Sequence, residues 1–210
     1  MRNDHIGVRV LLAAAVGLLL VALRAPIWTT RLEAPQYHGE EALHVRVYAG
    51  HISGDLHELE TLNQYIGVTI PTDIVELRVG PWLLGAFLML ALFALLSSEV
   101  RQHRAAALLL VLMVLSVVGA AASAEYRLYA LGHDRGHTPF ARVEDFTPPL
   151  LGTTKIENFE VSTALAPGGL AYLGALLLAG TAAWLTREKR TSLRAPEFDQ
   201  QMKREGVLDG

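Results

Sequence analysis

Four histidines, His51, His57, His133 and His137, are the side chains in this sequence with the most adaptable chemistry. Neutral imidazole binds zinc or oxidised copper, and in "HDRGH", residues 133–137, Asp134 adds a carboxylate beside two of them. Gly136 and Pro139 oppose the helix that would set His133 and His137 on one face. Spacing alone therefore builds no site, and His51 and His57 complete a tetrahedral set only if two distant segments converge. The simpler reading leaves all four solvated or interfacial. Copper or zinc is thus an optional ligand, and no cofactor is required.

Other catalytic patterns are missing from the sequence. Glu144 and Asp145 are adjacent, which suits a solvated pair better than the opposed carboxylates of acid and base catalysis, and no Ser, His and Asp pattern or phosphate loop is recognisable. There is no cysteine, so disulfides and thiolate ligands are excluded. The residues point to no reaction, and the expectation is a non-catalytic protein.

What must position these residues is a set of membrane helices. Of 210 residues, 51% are hydrophobic, mean hydropathy is +0.31, and the apolar residues are gathered into blocks. Uncharged stretches run over 81–98, 105–124 and 168–186, each near the roughly 20 residues needed to cross about 30 Å of hydrocarbon. The first apolar block is less regular. Val10 to Leu23 has the length of a signal-peptide core, but Arg24 stands where small residues define a cleavage site, and apolar character resumes at "APIW". An uncleaved anchor from about Val8 to Trp28 is expected, with Arg24 snorkelling and Trp28 in the aromatic belt.

The expected fold is mainly α and integral to the membrane. Four transmembrane helices carry two structured extracytoplasmic loops, the first a small α+β unit. The organisation is an N-terminus and first helix (1–28), outer loop one (29–80), a transmembrane hairpin (81–124), outer loop two (125–167), a fourth helix (168–186) and a tail (187–210). "RQHR" at 101–104 and "REKR" at 187–190 flank span ends and assign their side to the cytoplasm. Both termini are then cytoplasmic, in a multi-pass protein of the cytoplasmic (inner) membrane. Of the net charge of -3, the outer loops with Arg24 carry -6 and the cytoplasmic parts +3. The spans hold no mid-membrane ionisable residue for a proton or ion path, which argues against a transporter. They do hold small residues at four-residue spacing, Ala171, Ala175, Ala179 and Ala183 and again Ser116, Ala120 and Ala124, which suit close helix packing.

In outer loop one, "ALHVRVYAG" alternates Leu43, Val45 and Val47 with polar neighbours, as a half-buried strand does. "GDLHELETLNQYIGV" spaces Leu56, Leu59, Leu62 and Ile66 at helical intervals behind Asp55 as N-cap. Its end carries Asn63, Gln64 and Tyr65; a capping turn and an interfacial anchor account for them, and docking is the alternative. Outer loop two holds Pro139, Pro148, Pro149 and Pro167, so mostly irregular order is expected. Phe146, Leu150, Ile156 and Phe159 give it apolar anchors that a disordered tether would lack.

"LEAPQY" (32–37), "LNQYIGV" (62–68), "FTPPLLGTTKIENF" (146–159) and the pair Gly168 and Gly169 together resemble a family of small four-span membrane proteins associated with atypical nitrous oxide reductase gene clusters. The likeness covers both outer loops and most of the chain. The family has no assigned catalytic residues, and the resemblance implies a place near copper enzymology. This chain has Gln64 and Val68 where the family pattern has His and Met, so the obvious copper ligands of that motif are lacking here.

Besides the lipid bilayer, the expected partner is an extracytoplasmic or membrane protein, and no nucleic acid. The favoured function is a membrane accessory whose outer loops dock a metalloenzyme, its maturation factor or an electron donor. The docking residues are then Asn63, Gln64, Tyr65, Phe146, Pro148, Pro149, Ile156 and Phe159. Direct binding or delivery of copper or zinc by the outer histidines is the alternative. The topology has its own test. Reporter fusions at Asp55, Gln102, Glu144 and the C-terminus are expected to report outside, inside, outside and inside, and a C-terminal fusion reporting outside would overturn the assignment.

Overall fold

The computed structural model describes residues 2–33, 42–58, 74–133, 149–156 and 159–204. Four helices, α1 (Arg2–Arg24), α2 (Val75–Leu96), α3 (Glu99–His133) and α4 (Pro167–Arg204), are joined to five strands. The strands are β1 (Trp28–Glu33), β2 (Leu43–Val47), β3 (Ile52–Gly54), β4 (Gly152–Ile156) and β5 (Phe159–Leu165). Each helix has a stretch long and apolar enough to cross a bilayer, which makes this a multi-pass membrane protein.

The helices close into a four-membered ring in which each packs on the helices before and after it, and α4 packs on α1. Ala15 and Leu19 of α1, Leu84, Phe87 and Ala91 of α2, Leu109 and Met113 of α3, and Ala175 and Ala179 of α4 form the main core. A second layer toward the chain termini joins Val8, Leu12, Ala94, Ala105 and Ala182. Lipid tails are as apolar as leucine, so what selects the inward face is close approach of backbones rather than hydrophobicity. Ala171, Ala175, Ala179 and Ala183 are all buried, while Trp82 and Leu177 are 80% and 71% exposed on the outside of the ring. The matching stripe on α3 differs: Ser116 and Ala124 are half-buried and Ala120 is exposed. Ser116 instead serves a polar clamp. Its hydroxyl lies 2.6 Å from that of Tyr172 on α4, and both reach the Met113 carbonyl, at 2.8 and 3.3 Å.

All five strands form one antiparallel sheet, ordered β3-β2-β1-β5-β4, at the end of the ring where α1 and α3 finish and α2 and α4 begin. The start of α1 and the end of α4 therefore lie toward the other end. The sheet departs from expectation in two places. Residues 152–156 and 159–165, expected to be irregular, form the antiparallel pair β4 and β5, because Thr153, Thr154, Val161 and Thr163 favour the pleat and the prolines lie upstream. Trp28, expected at the end of the first span, opens β1 because Pro26 ends α1: proline disfavours helical geometry at the residue before it and lacks a donor.

Sheet and ring meet at residues 25–27. Ile27 N donates to Val47 O (2.7 Å), Ala166 N to Ile27 O (3.0 Å), and Gly168 N, an otherwise unsatisfied amide of the first turn of α4, to Pro26 O (2.8 Å). Approach this close leaves no room for side chains. A Cβ on Gly168 would stand 2.5 Å from Ala25 O, and one on Gly169 would collide with Ile27 O. On the other flank Gly80 of α2 lies against the Ala49 carbonyl, and a Cβ on Gly50 would be 2.8 Å from Pro81 Cγ. Gly80→Ala is expected to lower stability by about 1–3 kcal/mol through overpacking against backbone. Gly119→Ala, with nothing within 4 Å of the added carbon, should instead gain up to about 1 kcal/mol of helix propensity. Unfolding of both variants in detergent micelles checks the contrast, and equal effects would refute it.

Candidate functional site

The sheet is the candidate working surface, and its register sorts its residues into two faces. Trp28, Thr30 and Leu32 of β1 align with Val47, Val45 and Leu43 of β2 and with Leu165, Thr163 and Val161 of β5. Cross-strand partners share a face, so this face is largely apolar. Leu43, Val161 and Thr163 on it are buried. The alternate residues, Thr29, Arg31 and Glu33 with Arg46 and His44, Ser162 and Glu160, and Thr153 and Lys155, make a polar face. Arg31, Arg46, Thr153, Lys155 and Glu160 are exposed there, and Arg31 pairs with Glu33 at 2.8 Å.

Local chemistry sharpens both ends of the sheet. Asp55 holds the β2–β3 pair closed: its carboxylate accepts from His44 N (2.8 Å) while its own amide donates to His44 O (3.0 Å). The carboxylate expected to cap a helix also closes this strand pair, and residues 56–58, the part of that expected helix within the described residues, are helical. Gly54 precedes it at φ 127°, against the His44 carbonyl. At the opposite edge Gly152 has φ 109°, and Thr163 Oγ1 is 3.0 Å from the Pro149 carbonyl and 3.2 Å from that of Gly152. Pro149 is thereby tied back onto the apolar face.

Three of the four histidines singled out in the sequence fall within the described residues, each in a different element. His51 is exposed in the β2–β3 turn and stacks on Tyr48 with centroids 4.5 Å apart. His57 is exposed beyond β3. His133 ends α3, stacked on Tyr129 at 4.0 Å with Nδ1 3.0 Å from the Tyr129 carbonyl. Among the described residues no three His, Asp or Glu side chains come together to hold a metal. His137, Asn63, Gln64, Tyr65, Phe146 and Pro148 lie outside the described residues. Ile156 and Phe159 pair across the β4–β5 hairpin. Arg31, Arg46 and Lys155 were passed over in the sequence; their signal was the two-residue alternation in "WTTRLE", "LHVRV" and "GTTKI".

A second polar cluster stands where α2 begins. Arg127 of α3 grips Glu76 of α2 with Nη2 to Oε2 at 2.6 Å and Nε to Oε1 at 3.2 Å, and Ser123 donates to the same carboxylate. The bidentate fork fixes the long third helix against the second beside the sheet.

No protein-family model matches the chain, and no curated protein matches it at a significant level. The resemblance drawn above rests on its quoted residues alone. The absence of native cysteine makes the two faces directly testable. Single cysteines at Arg46, Thr153 or Lys155 should react rapidly with a polar maleimide in the folded protein, and cysteines at Val161 or Thr163 only after unfolding. Comparable rates at all five positions would refute the two-faced sheet.

Proposed function

We propose that this membrane protein is a non-catalytic accessory whose extracytoplasmic sheet docks a metalloenzyme, its maturation factor or an electron donor. The observation that carries the reading is the sheet itself. Two segments separated by a transmembrane hairpin build one surface with a buried apolar face and an exposed charged one, set on a helical base by close backbone contacts. A binding surface ordered before its partner arrives avoids much of the entropy cost of association. The reading also draws on the family resemblance for the kind of partner.

The sidedness has its own support. The basic flanks "RQHR" (101–104) and "REKR" (187–190) belong to the end opposite the sheet, which favours that end as cytoplasmic and the sheet as external. The polar face is mixed, with Arg31, Arg46 and Lys155 beside Glu33 and Glu160, so the partner is expected to match a local charge pattern rather than the -6 average of the loops.

Reversing two charges tests the docking role. Arg46→Glu with Lys155→Glu should leave membrane insertion unchanged and lower recovery of an extracytoplasmic partner at least tenfold in mild-detergent purification followed by mass spectrometry, a loss of about 1.4 kcal/mol or more. Leu177→Ala, on the lipid-facing side of α4, should leave that recovery intact. Metal analysis of the same samples separates docking from metal carriage. If every co-purifying protein is recovered equally from both variants, the docking function is wrong.

A further inference from the structure

The end of the ring away from the sheet brings two arginines to one side of a helix seam. His103 Nδ1 of α3 lies 2.9 Å from Thr186 Oγ1 of α4, and the Thr186 hydroxyl is 2.9 Å from both the Ala182 and Ala183 carbonyls. With the hydroxyl proton directed at a carbonyl, the imidazole N–H donates to Thr186. The contact fixes these helices in rotation and height. They run antiparallel, and on each the next residue turns by about 100° and rises about 1.5 Å. For an antiparallel pair in contact at His103 and Thr186, those two turns carry Arg104 and Arg187 to the same side of the seam, within about 3 Å in height. Gln102, on the other flank of His103, is buried, so the arginine side is the outward one. Arg104 and Arg187 are both exposed.

Depth and charge fit one class of ligand. Arg104 immediately precedes the uncharged stretch from Ala105 to Ala124, and Trp184, three residues before Arg187, is 62% exposed, as interfacial aromatics are. The seam therefore sits at the boundary of hydrocarbon and headgroups. Arg9 and Arg101 add positive charge at this end, which Glu99 offsets in part. Guanidinium forks match phosphate oxygens bidentately, and basic pockets between helices at this depth suit lipid headgroups.

We propose that the outward side of the α3–α4 seam binds the phosphate headgroup of an anionic phospholipid through Arg104 and Arg187. The site lies at the opposite end from the sheet and does not depend on its docking role. A lipid held there bridges the two helices beside the His103–Thr186 pair.

The test uses the full chain in mild detergent, equilibrated with phosphatidylglycerol or phosphatidylcholine, with retained lipid counted by native mass spectrometry. The wild type is expected to retain phosphatidylglycerol preferentially, and excess inorganic phosphate should not displace it. Arg104→Gln with Arg187→Gln should weaken that retention on the order of thirtyfold, at about 1 kcal/mol for each basic residue near the headgroups. Lys155→Gln, on the sheet, should leave it unchanged. Equal retention of the two lipids, displacement by inorganic phosphate, or undiminished retention by the double variant overturns the proposal. Should the double variant fail to insert, the wild type is titrated with salt: preference for phosphatidylglycerol must fall as ionic strength rises, and a preference indifferent to salt overturns the site.

Discussion

The structure depends on three residues, Ala25, Pro26 and Ile27, that take the chain from a membrane helix directly into the central strand of a sheet. Ala25 N still donates to Val21 O, closing α1, while Ile27 already pairs with Val47 and Ala166. In so short a connection every polar backbone group must find a partner within a few ångströms. The segment supplies Pro26, which needs none for its nitrogen, and carbonyls that take the amides of Ala166 and Gly168. The end of α1, the start of β1 and the beginning of α4 are thus one hydrogen-bonded unit. Gly168 and Gly169 follow from it, since a side chain at either would push the fourth helix off the knot.

From that unit the remaining architecture follows in order. With α1 and α4 joined at its base, β1 and β5 pair as their continuations, and β2 and β4 add on either side. The β2–β3 turn then descends far enough for Ala49 to enter the helical core and for Gly50 and Gly80 to seat it against α2. Pro81 lies at that contact. As a proline inside α2 it leaves the Leu77 carbonyl without its helical amide, next to where Gly50 packs. The helix pair α2–α3 is less committed to the core near the sheet, where the Glu76, Ser123 and Arg127 cluster joins the two helices in place of buried apolar side chains.

Rigidity and function are linked through these contacts. A sheet on a flexible tether would lose entropy on meeting a partner, whereas one joined to four membrane helices presents its polar face in a fixed direction. On the proposed reading the two ends divide the work: the sheet end offers a patterned polar surface, and the opposite end offers arginines to lipid headgroups.

Membrane character and the helix blocks were legible in the sequence because the bilayer imposes them locally: runs such as Ala105 to Ala124 cannot avoid charge for that length without a reason. The Leu43 to Val47 strand was legible for the same kind of reason, a two-residue period that needs no distant information. What the tertiary structure decided was everything that depends on pairing across long separations. Residues 152–156 and 159–165 look irregular because Pro148, Pro149 and Gly152 dominate a local reading; they become strands when β5 finds the edge of β1, about 130 residues earlier in the chain. The same pairing sorts Arg31, Arg46 and Lys155 onto one face, and helix contact sets His103 against Thr186. Composition records that such residues exist, but which of them are neighbours is set by register and by helix rotation, and those are properties of the folded chain alone.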